Sequence, residues 1–286
     1  MKHYLEYIVL TAVSKLLSLL GLKVARKFAT FFAFVFTRIL PLRLNTVRQN
    51  LEMAFPGNTT AWYEEKTTQC YTDISKTMIE MMILHTVTEE QIMDSITISN
   101  ESLSVLKNAY ERGKGVLLLS AHFGNWELGV QALSLLMKTG ISVVVKEQSN
   151  KRLSDRMNSR RTRFGNRPIK LGSSLKEVYV GLKKGQIVAI IGDQRGSREG
   201  ERYQFFGRET AFYNGAGAFC VKSGSAAVFA VARREKDDNF VLEMTEINTD
   251  SLVGEYEDKV HNFTQKYISL VEDAIGKSPT QWFWMH

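Results

Sequence analysis

Five short runs rich in aliphatic and β-branched residues constrain this 286-residue chain more than any other feature: GVLLLSA (115–121), ISVVVKE (141–147), QIVAIIGD (186–193), AAVFAVARR (226–234) and NFVLEMTEI (239–247). Such residues suit a pleated, buried surface. Between the second and third runs Leu175, Val178, Tyr179 and Leu182 recur at helical spacing, Ser174 and Glu177 form a capping box, and Gly185 follows Lys183 and Lys184 as a stop. A last helix is predicted over 255–275, with Tyr256, Val260, Phe263, Tyr267, Leu270, Val271 and Ala274 on one face and Gly276 closing it. Strands separated by helical connections predict an α/β fold, with a mixed, largely parallel sheet flanked by helices. In open sheets of this kind ligands gather at the carboxyl ends of the strands, so the residues just after each run matter most.

The first forty residues are the most apolar. In YLEYIVLTAVSKLLSLLGL, Thr11, Ser14, Lys15 and Ser18 form a narrow polar stripe on an otherwise apolar helix, suited to crossing a bilayer or lying within its interface. Glu6 and Lys15 interrupt the apolar run, which argues against a secretory signal. Phe28, Phe31, Phe32, Phe34 and Phe36 add large apolar surface, and membrane contact is the expectation. The chain is therefore divided into a membrane-anchoring segment, 1–42, and an α/β domain, 43–286.

With 44% hydrophobic and 23% charged residues the chain is globular, and Cys70 and Cys220 lack metal-ligand spacing, which points to a reducing compartment and no metal site. The net charge of +7 points to an anionic partner. Between Lys151 and Lys170 lie eight basic residues and one acid, and Arg152, Arg156, Arg160, Arg163 and Arg167 fall at spacings that would line one side of a helix. Arginine forks match phosphate geometry, so this stripe reads as an anion-binding surface, with a solvated charged face as the plainer alternative. No nucleic-acid-binding motif is evident, and an apolar first helix is a poor companion for that role.

His122 follows the first strand run, and Glu127 lies five positions later in AHFGNWELG. On one continuous helix the two would point apart. Gly124 and Asn125 break it, and if Asn125 caps the next helix, Glu127 enters its first turn, where the macrodipole favours a carboxylate. Such a carboxylate could fix the imidazole tautomer, leaving the other nitrogen to take a proton from a hydroxyl. A structural histidine and a dipole-compensating glutamate would show the same pattern. Asp193 also sits at a strand's carboxyl end, suited to bonding an arginine, a substrate hydroxyl or its own turn. The stretch from Gln194 to Phe219 shows no clear period and reads as a long functional or mobile loop, in which Gly215 and Gly217 mark close backbone approach or a helix start.

VRQNLEMAFPG (47–57), HFGNWE (122–127), RTRFGN (161–166), GDQ (192–194), FFG (205–207) and PTQWFWMH (279–286), in this order, resemble blocks of the bacterial lipid A biosynthesis acyltransferases, the late or secondary acyltransferases. In that family the tryptophan-rich block usually runs on into a few basic residues, whereas this sequence stops at His286. The resemblance implies a glycerolipid-acyltransferase-like fold and transfer of a fatty acyl group, usually from acyl carrier protein, to a hydroxyl of an acylated glucosamine disaccharide at the cytoplasmic face of the bacterial inner membrane. His122 would be the general base and Glu127 its orienter. Arg161, Arg163 and backbone groups near 215–217 are candidates for the oxyanion, and Asn125, Arg156, Arg160 and Asp193 for substrate or phosphate contacts. Phe205, Phe206 and Gly207 are candidates for the acyl pocket. No metal or cofactor is implied beyond an acyl thioester co-substrate, and the expected partners are acyl carrier protein, an anionic lipid acceptor and a membrane. Two other functions fit some of these features: a glycerolipid or other glycolipid O-acyltransferase, and a non-catalytic membrane or carrier-protein adaptor in which His122 is structural.

Overall fold

All five runs form strands of one sheet in the computed structural model, which describes residues 2–172, 175–194, 196–197 and 199–285. Helices α1 (Lys2–Leu20) and α2 (Leu22–Phe34), a π-helical turn at Val35–Ile39, α3 (Leu44–Ala54) and α4 (Thr60–Ile83) precede the sheet. Then come α5 (Glu89–Asp94), β1 (Ile96–Ile98), α6 (Asn100–Glu111), β2 (Val116–Ser120), α7 (Trp126–Met137), β3 (Ser142–Val145), α8 (Lys151–Arg161), β4 (Arg167–Lys170), α9 (Leu175–Lys183) and β5 (Ile187–Ile191). Last are the hairpin β6 (Arg202–Phe205) and β7 (Arg208–Ala211), α10 (Gly215–Ser223), β8 (Ala226–Arg234), β9 (Phe240–Glu246) and α11 (Tyr256–Lys277).

The seven-stranded sheet has the order β1-β9-β8-β2-β5-β3-β4, and only the β8–β9 pair is antiparallel. Central β2 is buried on both faces: Leu117 and Leu119 join the core shared with Tyr71, Phe263 and Tyr267, while Val116 and Leu118 join the opposite one with Leu106, Leu128 and Leu133. This is why its run is continuously apolar rather than alternating. The two outermost strands carry no such signal. β1 has three residues, and β4 contains Pro168, which an edge strand tolerates because one side of its ladder is unpaired.

In α1 the stretch His3–Leu20 is long and apolar enough to cross a membrane, and Leu5, Leu16 and Leu19 are exposed. Its polar stripe faces protein at Ser14, whose hydroxyl donates to Met82 O of α4 at 2.7 Å, whereas Lys15 is exposed. In α2 the small residues Ala25, Ala29 and Ala33 are buried, with Ala25 and Ala29 in one cluster with Ile79 and Ile83 of α4, which leaves Phe28, Phe31 and Phe34 outward.

Several local expectations change. α8 stops at Arg161, so Arg163 and Arg167 lie off the helix and the five arginines do not share one face. Gly276 lies inside α11, whose last helical residue is Lys277, and Tyr256 and Leu175 are exposed rather than packed. The proposed capping box at Ser174 lies outside the described residues. The aperiodic stretch after Gln194 holds the β6–β7 hairpin, because Phe206 and Gly207 both take positive φ (49° and 68°), the requirement of a tight two-residue turn.

Candidate active site

Parallel register builds the centre of the site. Each residue of β2 pairs with the residue of β5 that is 71 later, ending at Ser120 and Ile191. Two residues further on, the same offset brings His122 and Asp193 side by side above the strand ends. His122 Nδ1 donates to Asp193 Oδ1 at 2.7 Å, and the His122 backbone N–H donates to Oδ2 at 2.7 Å. Trp282 Nε1 donates to the same Oδ2 at 2.7 Å. Tyr267 ties the two strand ends together from below, donating to Ser120 O at 2.7 Å and accepting from Gly192 N at 3.1 Å.

Burial alone would push the Asp193 carboxyl up, but the imidazole, the indole N–H and the backbone N–H hold it below the usual carboxylate range. Burial likewise pushes His122 down, and the Asp193 charge and hydrogen bond, helped by the field of Glu127, outweigh it and hold the ring above the ordinary histidine value. With Nδ1 donating to the carboxylate, Nε2 is the ring nitrogen that carries the acceptor lone pair. Sequence reasoning placed Glu127 in that orienting role. The structure puts Asp193 on Nδ1 instead, because strand register and not local chain spacing decides which carboxylate arrives there.

Glu127 does sit in the first turn of α7, with Asn125 as N-cap accepting from Leu128 N at 2.9 Å. Its carboxylate takes a forked contact from Arg161, whose Nε lies 3.0 and 3.1 Å from the two oxygens and whose Nη2 meets Oε1. Arg161 Nη1 goes to Asn158. The bend between β2 and α7 is fixed by Gly124: its φ is +57°, and a Cβ there would lie 1.8 Å from Ala232 O.

The remaining candidates separate. His122, Glu127, Arg156, Arg160 and Arg161 line one cavity of about 780 Å³, whose inner wall includes Leu118, Val130, Leu133, Ala189 and Leu242. Arg163 lies elsewhere, donating to Leu84 O at 2.7 Å and Val87 O at 2.9 Å. Asn125 is not in the wall; its Nδ2 donates to Glu80. Phe205 and Phe206 are not in the wall either. They pack with Phe212, Trp282, Trp284 and Phe55, and Gly207 is the hairpin turn, so the acyl-pocket expectation for FFG is replaced by an aromatic core. Gly215 starts α10, and Gly217 packs against α11, where a Cβ would be 2.8 Å from Thr264 Oγ1; none of residues 215–217 lines the cavity.

Two supports had no sequence signal. Glu80, buried in α4, accepts from Arg26 Nε and Arg234 Nη1 at 2.6 Å each, and from Asn125 Nδ2 and Arg234 Nη2 at 2.7 Å each. Thr77, one turn earlier, donates to Gly124 O at 2.8 Å. The C-terminal block braces the corner from the other side: Gly124 N donates to Gln281 O and Phe283 N to His122 O, both at 3.0 Å. Asn50 Nδ2 in turn donates to Trp284 O at 2.9 Å. These contacts join segments 45 to more than 200 residues apart, which local patterns do not encode.

Comparison with known proteins gives a consistent answer. The chain is 24% identical over 254 residues, 86% of its own length and 78% of the other, to the lipid A biosynthesis palmitoleoyltransferase of Escherichia coli (strain K12). It is similar to the same extent to the lipid A biosynthesis acyltransferase of Shigella flexneri. The family model for bacterial lipid A biosynthesis acyltransferases matches residues 1–286. An imidazole bonded to a buried carboxylate at the strand ends, on a cavity with an apolar inner wall, and a family match over the whole chain lead to one conclusion: this chain belongs to the bacterial lipid A biosynthesis acyltransferase family and is an acyltransferase.

Proposed function

We propose that the protein transfers a fatty acyl group from an acyl thioester, carried by acyl carrier protein, to a hydroxyl of a lipid A precursor at the cytoplasmic face of the inner membrane. The observation that carries the reading is the His122–Asp193 pair opening on the 780 Å³ cavity. His122 Nε2 takes the acceptor hydroxyl's proton as its oxygen attacks the thioester carbonyl. The C–O bond is complete in the tetrahedral intermediate, whose collapse then breaks the C–S bond and expels the thiolate, which recovers the proton from the imidazolium. No covalent enzyme intermediate is involved, and the proposed reaction uses no resident metal or cofactor.

Asp193 stabilises the imidazolium that forms between the two proton transfers. Glu127 acts at one remove: it holds Arg161 at the cavity wall, and the guanidinium supplies positive potential for the developing oxyanion. The wall of Leu118, Val130, Leu133, Ala189 and Leu242 takes the fatty chain. Segment 1–42 anchors the enzyme to the membrane and 43–286 carries the chemistry.

The test is acyl transfer by purified protein from acyl carrier protein thioester, with a phosphorylated disaccharide lipid and lysophosphatidic acid in competition. Product on the disaccharide and a fall of about 10²–10⁴-fold in His122→Asn are expected, the usual contribution of general-base catalysis. Preference for lysophosphatidic acid would make this a glycerolipid acyltransferase, and undiminished transfer by His122→Asn would remove the base.

A further inference from the structure

The segment after β3 concentrates positive charge, and acidic partners reach only some of it: Lys151 pairs with Asp155, Arg161 with Glu127, Arg167 with Glu177 and Lys170 with Glu147. None of the ion pairs among the described residues involves Arg156, Arg160 or Arg163. Glu127, the carboxylate whose field reaches Arg160, is already occupied by Arg161. Arg163 is satisfied by two backbone carbonyls at 2.7 and 2.9 Å. Arg156 and Arg160 are not comparably served.

Arg160 is only 9% exposed. Its Nη1 donates to Met81 O at 2.6 Å, its Nη2 reaches Ser14 Oγ at 3.4 Å, and its buried Nε has no partner. Arg156 Nη2 reaches the same Ser14 Oγ at 3.3 Å. Ser14 spends its own proton on Met82 O, so one neutral oxygen faces two guanidinium groups at long range. One turn earlier on α1, Thr11 Oγ1 is buried without a partner. Burial first, and then repulsion from Arg156, push the Arg160 guanidinium down to about 10. Burying a cation is costly unless a counter-charge accompanies it.

All four residues line the same cavity as His122. The same lining holds two carboxylates, Glu6, which accepts from Asn150 Nδ2 at 3.0 Å, and Glu127, held by Arg161. Two guanidinium groups and the Thr11 hydroxyl are donors of the kind a tetrahedral dianion uses, several charge-assisted bonds to its oxygens, with the Ser14 oxygen steering both guanidinium groups. We propose that Arg156 and Arg160, with Thr11 and Ser14 facing them from α1, form an anion subsite that binds the phosphate monoester of an amphiphile occupying this cavity. The identity of that amphiphile as the acyl acceptor rests on the acyltransferase reading; the affinity for phosphate does not. The subsite also gives the polar stripe of α1 a purpose that a helix buried only in lipid would lack.

The experiment compares binding of tetradecyl phosphate, tetradecanol and inorganic phosphate to the full-length protein in neutral detergent, followed by tryptophan fluorescence, since Trp126 lines the cavity. Tetradecyl phosphate is expected to bind at least about tenfold tighter than tetradecanol, with inorganic phosphate much weaker than either. Arg156→Gln is expected to remove most of that preference while leaving tetradecanol binding as it was. Arg160→Gln should do the same where it folds, and Arg156→Gln decides the matter where it does not. Equal binding of the two amphiphiles, or a preference that survives Arg156→Gln, would leave the arginines as struts between α8 and α1. Inorganic phosphate binding as tightly as the alkyl phosphate would overturn the amphiphilic ligand. Failure of acyl transfer with the arginine-dependent preference intact would defeat the acyltransferase reading alone.

Discussion

In the proposed mechanism His122 is tuned by a carboxylate that is itself buried and triply bonded, which makes Asp193 the most sensitive single position. Asp193→Asn keeps the volume but removes the charge, and is expected to lower kcat by about 10²-fold or more, within the range of general-base assistance. Its pH profile supplies a second reading. Catalysis needs neutral imidazole, and Asp193 raises the His122 value, so the acid limb of kcat/KM should move to lower pH in Asp193→Asn. An unmoved limb would show that another group sets it. The same shifts govern stability. The raised His122 value stabilises the fold below the unfolded value of about 6.5 and is lost as pH rises through the folded one; the lowered Asp193 value stabilises above about 3.9 and is lost on acidification. Urea midpoints of wild type and Asp193→Asn should therefore differ most between those limits. Glu80 is the other residue whose loss is severe. Glu80→Gln leaves buried Arg26 without its anion and Arg234 with only the longer contact to Asp238 at 3.6 Å, and a loss of about 3–5 kcal/mol in urea unfolding is expected, the usual result of breaking a buried pair from one side.

At the scale of elements, the bend between β2 and α7 is the tightest fit. Gly124→Ala places a methyl group against Ala232 O in a backbone conformation that L-residues rarely adopt, and should cost more than about 2 kcal/mol or displace His122. Either a lowered urea midpoint or lost activity in a stably folded variant reports it; neither would mean that the backbone at this bend yields to a methyl group. The Trp-rich C-terminal segment acts on the same bend. Trp282→Phe removes one donor from a buried carboxylate and should raise the Asp193 value, weakening its hold on His122. Helix α8 shows how an element boundary changes a prediction: because it ends at Arg161, Arg152 packs on Tyr4, Arg156 and Arg160 turn to α1, and Arg163 is spent on α4's exit.

For the whole molecule, α1 has two exposures: its outward leucines, with the outward phenylalanines of α2, present apolar surface, while Leu10, Thr11 and Ser14 help to wall the cavity. Deleting residues 2–20 should reduce association with vesicles and also weaken tetradecyl phosphate binding, because Thr11 and Ser14 go with it. Co-sedimentation and the fluorescence titration measure the two separately. Five strands, their largely parallel order, the bend at Gly124–Asn125 and the position of His122 at a strand end were legible in the sequence, since each follows from local apolar pattern, β-branching or glycine, whereas β1, β4 and the β6–β7 hairpin carry no such pattern. So was the importance of Asp193's location, though not its partner. What tertiary structure decided is which carboxylate meets the imidazole, which arginines face the cavity, and that Glu80 and Trp282 hold the corner. Local patterns record how a residue relates to its neighbours along the chain, whereas a parallel ladder joins residues 71 apart by a register that only the assembled sheet fixes.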